Sequence, residues 1–164
     1  MQPTRIEALQ AMPIFGGIRD DVLASLVEAA ATVAVAPGEY FFREGDRAES
    51  MYVLETGEVS LLKHWEGEPH VLARLHAGDC FGEMALLDLF PRSASVLAIV
   101  PCTAIELSAR SLYQLCETHI QQFALIQMNI ARELSRRLRA ADERLFRAHV
   151  GADELKAAWA HALG

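Results

Sequence analysis

The stretch PGEYFFREGDRAESMYVLETGEVSLL, Pro37–Leu62, alternates short apolar runs with turn residues. Tyr40–Phe42, Met51–Leu54 and Val59–Leu62 are the runs; Pro37-Gly38, Gly45-Asp46 and Thr56-Gly57 are the breaks. Runs this short, rich in aromatic and β-branched residues, read as strands, and Gly, Pro and Asp supply the backbone angles that turns need. The punctuation continues at Gly67, Ala77-Gly78-Asp79, Phe90-Pro91 and Val100-Pro101. Residues 32–108 therefore read as strands recurring about every 8–12 residues, an antiparallel sandwich or roll. Too little helix lies between them for the crossovers of a parallel sheet.

On either side the period changes to that of a helix. Within residues 5–31, Ile6, Leu9 and Met12 share a face, Pro13–Gly17 interrupts it, and Asp20 is the N-cap candidate of a helix carrying Val22, Leu23, Leu26 and Val27. Within 109–147, a short helix from Arg110 to about Thr118 leads into a long one, about His119 to Arg147. Its seam is Ile120, Phe123, Gln127, Ile130, Leu134, Leu138, Ala141 and Leu145. Some 29 residues of helix span ~43 Å, more than one small domain covers, so part of the seam is expected on a second copy. The alternative is a single helix lying across its own roll. Gly151 is expected to stop the helix, and Asp153–Ala162 to form a small terminal one. Residues 1–147 thus read as one domain and 148–164 as a short tail.

With 164 residues, 52% of them hydrophobic and 23% charged, the chain is long enough for a core without a metal or disulfide staple. Its 15 basic and 22 acidic residues give −7, a field that repels nucleic acid and membranes at long range. Cys80, Cys102 and Cys116 lack Cys-x-x-Cys spacing and read as buried small hydrophobes in a reducing compartment. MQPTRIEALQ has no apolar run behind a basic flank, and no stretch reaches the ~18 apolar residues of a membrane span. The expectation is a cytoplasmic protein that does not enter membranes.

The chemistry gathers in Gly78–Val96, GDCFGEMALLDLFPRSASV. Between Leu75 and Ala109, Arg92 is the only Lys or Arg, at the entrance to the apolar run Ala94–Val100. A guanidinium there costs desolvation unless it reaches solvent or meets an anion. Gly82–Leu87 is compatible with a short helix whose first N–H groups can bind a phosphate. Arg92 would add a bidentate contact to it, and Glu83 would accept from a sugar hydroxyl. A plain Glu83–Arg92 ion pair on a turn accounts for the composition equally well.

FGEMALLDLFPRSASV resembles the phosphate-binding cassette of cyclic nucleotide-binding domains, the sensors of catabolite activator/FNR-type regulators, cyclic nucleotide-gated channels and kinase regulatory subunits. The family pattern falls on Phe81, Gly82, Glu83, Met84, Ala85, Leu86, Arg92, Ser93 and Ala94. PGEYFFREGD, MYVLETGEVSLL, LHAGD and LQAMPIFGGI extend the similarity over about residues 5–147. The resemblance implies a mainly β, antiparallel β-roll or jelly roll (double-stranded β-helix), flanked by N-terminal helices and a long C-terminal helix. It implies Arg92 on the cyclic phosphate, Glu83 on the ribose 2′-hydroxyl, and N–H groups near Gly82, Glu83 and Ala94 completing the cradle. Met84, Ala85 and Ser93 belong to the same ligand-binding set, with cAMP or cGMP as ligand, cAMP slightly favoured, and no cofactor beyond it.

In the bacterial members the long helix closes over the base and dimerises. Here Asp142 falls where the base would be read; as a carboxylate it accepts from adenine or from guanine. The alternative is a solvated helix carboxylate. Regulators of transcription follow this helix with a helix-turn-helix domain, and only 17 residues follow Arg147. A stand-alone sensor without direct DNA binding is expected, coupled to an unknown effector protein by a population shift of the helix. His119–Arg147 carries six Arg against Glu133, Asp142 and Glu143, a local +3 that reads as a basic patch or as intrahelical ion pairs. No enzyme is expected: His64, His70 and His76 never form the His-x-His of a metal-dependent jelly roll. A haem- or redox-sensing relative using Cys80 or a His as ligand, and a degenerate dimerisation module that binds no nucleotide, are the other readings.

Overall fold

The computed structural model describes residues 4–163. Met1–Pro3, at the start of the segment read for a leader, and Gly164, the end of the tail, lie outside the described residues.

Eight strands form the expected antiparallel roll: β1 Ala31–Val35, β2 Tyr40–Phe42, β3 Ser50–Thr56, β4 Glu58–Trp65, β5 Glu68–His76, β6 Cys80–Phe81, β7 Ser95–Ala98 and β8 Cys102–Ser108. One sheet runs β1-β8-β3-β6 and the other β2-β7-β4-β5. Between them lie Val35, Tyr52, Leu54, Phe81, Cys102 and Ala104 from the first sheet and Val59, Leu75, Val96 and Ala98 from the second. Each fully buried Val, Leu or Phe contributes about 1.5–3 kcal/mol. In β3 every residue from Ser50 to Leu54 is buried. That strand is covered on both faces, which is why Met51–Leu54 reads as a continuous apolar run and not as an alternation.

Helices α1 Arg5–Gln10, α2 Asp20–Ala29 and α4 Ala109–Thr118 flank the roll, and α3 Met84–Asp88 interrupts it. Helix α2 buries Val22, Leu23, Leu26 and Val27, as its periodicity requires. Its N-cap is Arg19, with no side-chain cap, and Asp20 is the first helical residue. The reason is a competing partner: the Asp20 carboxylate accepts from Gln10 Nε2 at 2.5 Å. Helix α4 has a true cap, Ser108 Oγ accepting from Ser111 N at 3.0 Å.

Helix α5 runs without a break from Ile120 to Leu163, 44 residues, or ~66 Å. The expected stop at Gly151 and the separate terminal helix are absent. One interior glycine costs only about 1 kcal/mol relative to alanine, and the Ala, Leu, Glu and Lys that follow are strong helix formers. The chain divides into two compact units, Met1–Asn129 and Ile130–Gly164. Within the first, Ile126 is fully buried and Asn129 Nδ2 donates to the carbonyls of Ile14 and Gly16, each at 3.0 Å. In the second, Arg136 and Arg137 donate to Glu133 at 2.7 and 3.3 Å and Arg147 to Glu143 at 2.8 Å. The basic stretch thus carries the intrahelical pairs that its spacing allows.

Cys80 and Cys102 are buried as expected, whereas Cys116, on α4, is only half-buried. Among the described residues no helix is long and apolar enough to cross a membrane.

Candidate functional site

The site is built on the 13 residues that connect β6 to β7. Gly82 leaves β6 with φ +79°, and a Cβ there would meet Arg92 Nη1 at 2.5 Å and Phe42 Cε1 at 3.2 Å. Both the backbone angle and the close approach require glycine. Glu83 then caps α3, whose five residues end at Leu89 in the left-handed region, φ +62°. The helix expected over Gly82–Leu87 is present but starts two residues later. Asp88 Oδ1 accepts from Phe90 N at 3.0 Å, closing the turn that delivers Pro91 and Arg92.

Arg92 is held at both ends. Its N–H donates to Asp46 O and its carbonyl accepts from Gly45 N, both at 2.9 Å. The side chain is only 5% exposed. Its guanidinium carbon lies 3.9 Å from the Phe42 centroid and 5.9 Å from that of Tyr52. Nη1 donates to Gly82 O at 2.9 Å, while Nε makes no hydrogen bond among the described residues. Burial pushes the Arg92 pKa below its ordinary value, and the negative potential of Tyr52, Asp46, Glu106 and Glu83 opposes that shift. Arginine stays protonated in proteins, so the site holds a desolvated cation.

Glu83 is 2% exposed. Ala85 and Ala94 are buried, Met84 is half-exposed, and Ser93 is exposed with Oγ 3.8 Å from Met84 Sδ. Gly82, Glu83, Met84, Ala85, Arg92, Ser93 and Ala94 thus occupy one connection. Asp142 lies on α5 in the second unit, at an exposed position.

Several contributors, Phe81 of the cassette apart, escaped the sequence reading. Phe42, Phe41, Tyr52 and Phe81 form an aromatic cluster, with Tyr52 and Phe81 stacked at 5.4 Å and Phe41 edge-on to both, at 5.5 and 5.0 Å. Phe41 and Phe42 both join it because the β2–β7 register shifts between Tyr40 and Phe42. Ser95 Oγ accepts from Glu44 N at 2.8 Å, tying the start of β7 to the β2–β3 turn. Ser50 Oγ and Tyr52 O–H both donate to Glu106 Oε1, at 2.6 and 3.2 Å. Burial raises the Tyr52 pKa above its ordinary value, and the neighbouring Glu106 charge adds to this. The aromatic run Tyr40–Phe42 was the one available signal.

A buried cation with a ring on one face, beside a carboxylate and the first turn of a helix, is suited to gripping an anion that also carries a hydroxyl. A separate cleft of about 230 Å³ lies between α2 and α4, lined by Asp21, Ser25, Leu26, Ser111, Gln114 and His119 among others; none of its residues belongs to the β6–β7 connection. Among the described residues no three His, Cys, Asp or Glu side chains gather as metal ligands would.

A family model described as "Cyclic nucleotide-binding domain" matches residues 32–119. The cyclic AMP receptor protein of Thermus thermophilus is 31% identical over 135 residues, 82% of this chain and 61% of that protein. A cAMP-dependent protein kinase regulatory subunit of Hypocrea atroviridis is 40% identical over 90 residues, 55% of this chain and 19% of that one. The crystal structure of a cyclic nucleotide-binding domain from Methylobacillus flagellatus superposes with a TM-score of 0.76 at 26% identity, covering 85% of this chain and 79% of that one. The chain therefore spans less than two thirds of either curated relative.

Proposed function

The chain belongs to the cyclic nucleotide-binding domain family, and from that premise we propose that it is a cyclic nucleotide sensor, its ligand held on Gly82–Ala94. Arg92 grips the cyclic phosphate through its remaining N–H groups. Glu83 accepts from the ribose 2′-hydroxyl, and N–H groups near Gly82, Glu83 and Ala94 complete the cradle, with Met84, Ala85 and Ser93 beside it. The observation that carries the reading is Arg92 itself: 5% exposed, stacked on Phe42, bonded through Nη1 to a main-chain carbonyl, and with an unused Nε. A cation so far removed from water is stabilised by an anion that completes its hydrogen bonds.

cAMP is favoured over cGMP; the names of the receptor and kinase-subunit relatives support that order. Asp142 on α5 is the candidate for reading the base. Ligand bound to the connection shifts the population of α5 by its differential affinity for two states. A partner protein, or self-association through α5, carries that shift onward, in the cytoplasm and without catalysis.

Calorimetric titration with cAMP, cGMP and cyclic dinucleotides tests the reading, on the wild type and on Arg92→Leu. Binding at concentrations up to about 100 µM, equivalent to roughly −5 kcal/mol, is expected for the wild type and not for the variant. A wild type that takes none of these ligands overturns the sensor in favour of a nucleotide-free dimerisation module.

A further inference from the structure

In β8 one charged residue, Glu106, stands between the fully buried Ile105 and Leu107. Side chains alternate along a strand, so Glu106 shares the face of Cys102 and Ala104, which line the core between the two sheets. A carboxylate on such a face costs desolvation unless donors meet it. Two do, both from β3 and both to the same Oε1. Tyr52, its register partner, donates through the phenol at 3.2 Å, and Ser50 donates through Oγ at 2.6 Å. Both donors are buried. The grip on a cyclic phosphate described above makes no use of Glu106 or Ser50.

The Tyr52 ring carries the effect of that carboxylate to the site. It stacks on Phe81 at 5.4 Å and lies 5.9 Å from Phe42, tilted by 31°. The Arg92 guanidinium carbon sits 3.9 Å from the Phe42 centroid and 5.9 Å from that of Tyr52. Both rings are thus within the ~6 Å at which a cation is attracted by an aromatic face. Stacking sets the plane of the Tyr52 ring, and the bond to Glu106 fixes its tip. An O–H that donates to a carboxylate is polarised by it, which returns electron density to the ring and strengthens its hold on the cation. Phe81, on which the ring rests, precedes Gly82, whose carbonyl accepts from Arg92 Nη1 at 2.9 Å. A shift of the Tyr52 ring therefore disturbs the guanidinium from two sides.

We propose that Glu106 is a positioning residue of the anion site, fixing through the Tyr52 hydroxyl the ring that orients the Arg92 guanidinium. This rests on Arg92 as the phosphate grip in the reading above and assigns Glu106 no contact with the nucleotide. In calorimetric titration of the full chain, Glu106→Ala and Tyr52→Phe should each weaken cAMP binding about three- to tenfold. The double variant should bind no more weakly than Glu106→Ala alone, because both changes break one link. Glu106→Gln keeps an oxygen that accepts from both hydroxyls and should recover most of the loss. A carboxylate that serves the fold alone would lower the melting temperature of Glu106→Ala and leave the affinity of the folded protein unchanged. That result, additive losses in the double variant, or a Gln variant no better than Ala overturns the proposal. A second measurement needs no ligand: the Arg92 Nε–H resonance of the 15N-labelled chain, assigned by its loss in Arg92→Leu. It should move toward the position of exposed arginines in Glu106→Ala. A resonance that stays in place overturns the positioning role whether or not a nucleotide binds. A resonance that moves, in a chain whose wild type takes no cyclic nucleotide, upholds that role and overturns the sensor alone.

Discussion

The Arg92 guanidinium stacks at 3.9 Å on the Phe42 ring, joining the end of the β6–β7 connection to β2. The ring covers one face of the cation and leaves the N–H edge directed elsewhere. Nη1 is spent on Gly82 O, and that same bond fixes the plane of the fork. Stacking and a single main-chain bond thus orient a buried charge without neutralising it.

Arg92→Leu should lower affinity for cAMP about 30- to 1000-fold, as expected for losing a buried charge-assisted pair worth about 2–4 kcal/mol. Arg92→Lys should recover little of this, because an ammonium neither forks nor stacks as a guanidinium does. Calorimetric titration reads both. Thermal melting should show that the Leu variant stays folded, since it replaces a desolvated cation with an apolar side chain.

Gly82→Ala should destabilise the domain by about 1–3 kcal/mol through its left-handed backbone. The added methyl would also displace the guanidinium it meets at 2.5 Å. Urea melting measures the first effect and titration with cAMP the second; a variant unchanged in both would refute the tight Gly82–Arg92–Phe42 packing.

Tyr52 has a raised pKa because it is buried. The protonated phenol is favoured in the fold, so its contribution to stability is complete below the ordinary value near 10. It is lost as pH climbs from there through the raised folded value. Chemical denaturation between pH 9 and 12 should show stability falling over that window, with a shallower fall in Tyr52→Phe.

Asn129→Ala should cost about 1–3 kcal/mol, since it leaves the Ile14 and Gly16 carbonyls without the donor that both share. Hydrogen exchange should localise the loss to the 3-10 turn at Pro13–Phe15 and the first turns of α5. A uniform loss across the roll would refute that local role.

Sequence was most informative where the governing physics is local. Glycine and proline mark turns through their own backbone angles, so the strand pattern from Pro37 onward was readable. Arg92 and Glu83 stood out because a lone cation beside an apolar run is conspicuous in composition. Phe42 and Tyr52 did not, because their roles depend on a register shift in β2 and on strand partners distant in sequence. Asp20 was misplaced for a similar reason, its carboxylate being taken by Gln10 of another helix. Gly151 misled in the opposite sense: its local penalty is real, and the helix formers after it outweigh it.

The β6–β7 connection leaves one sheet and enters the other. Cys80–Phe81 pair with β3 in the first, and Ser95–Ala98 pair with β2 and β4 in the second. The loop is therefore a stitch through both layers, anchored by an outermost strand at one end and an interior strand at the other. A displacement of that connection is therefore felt in both layers at once, and β6, an outermost strand paired only with β3, is the end held by fewer strand neighbours.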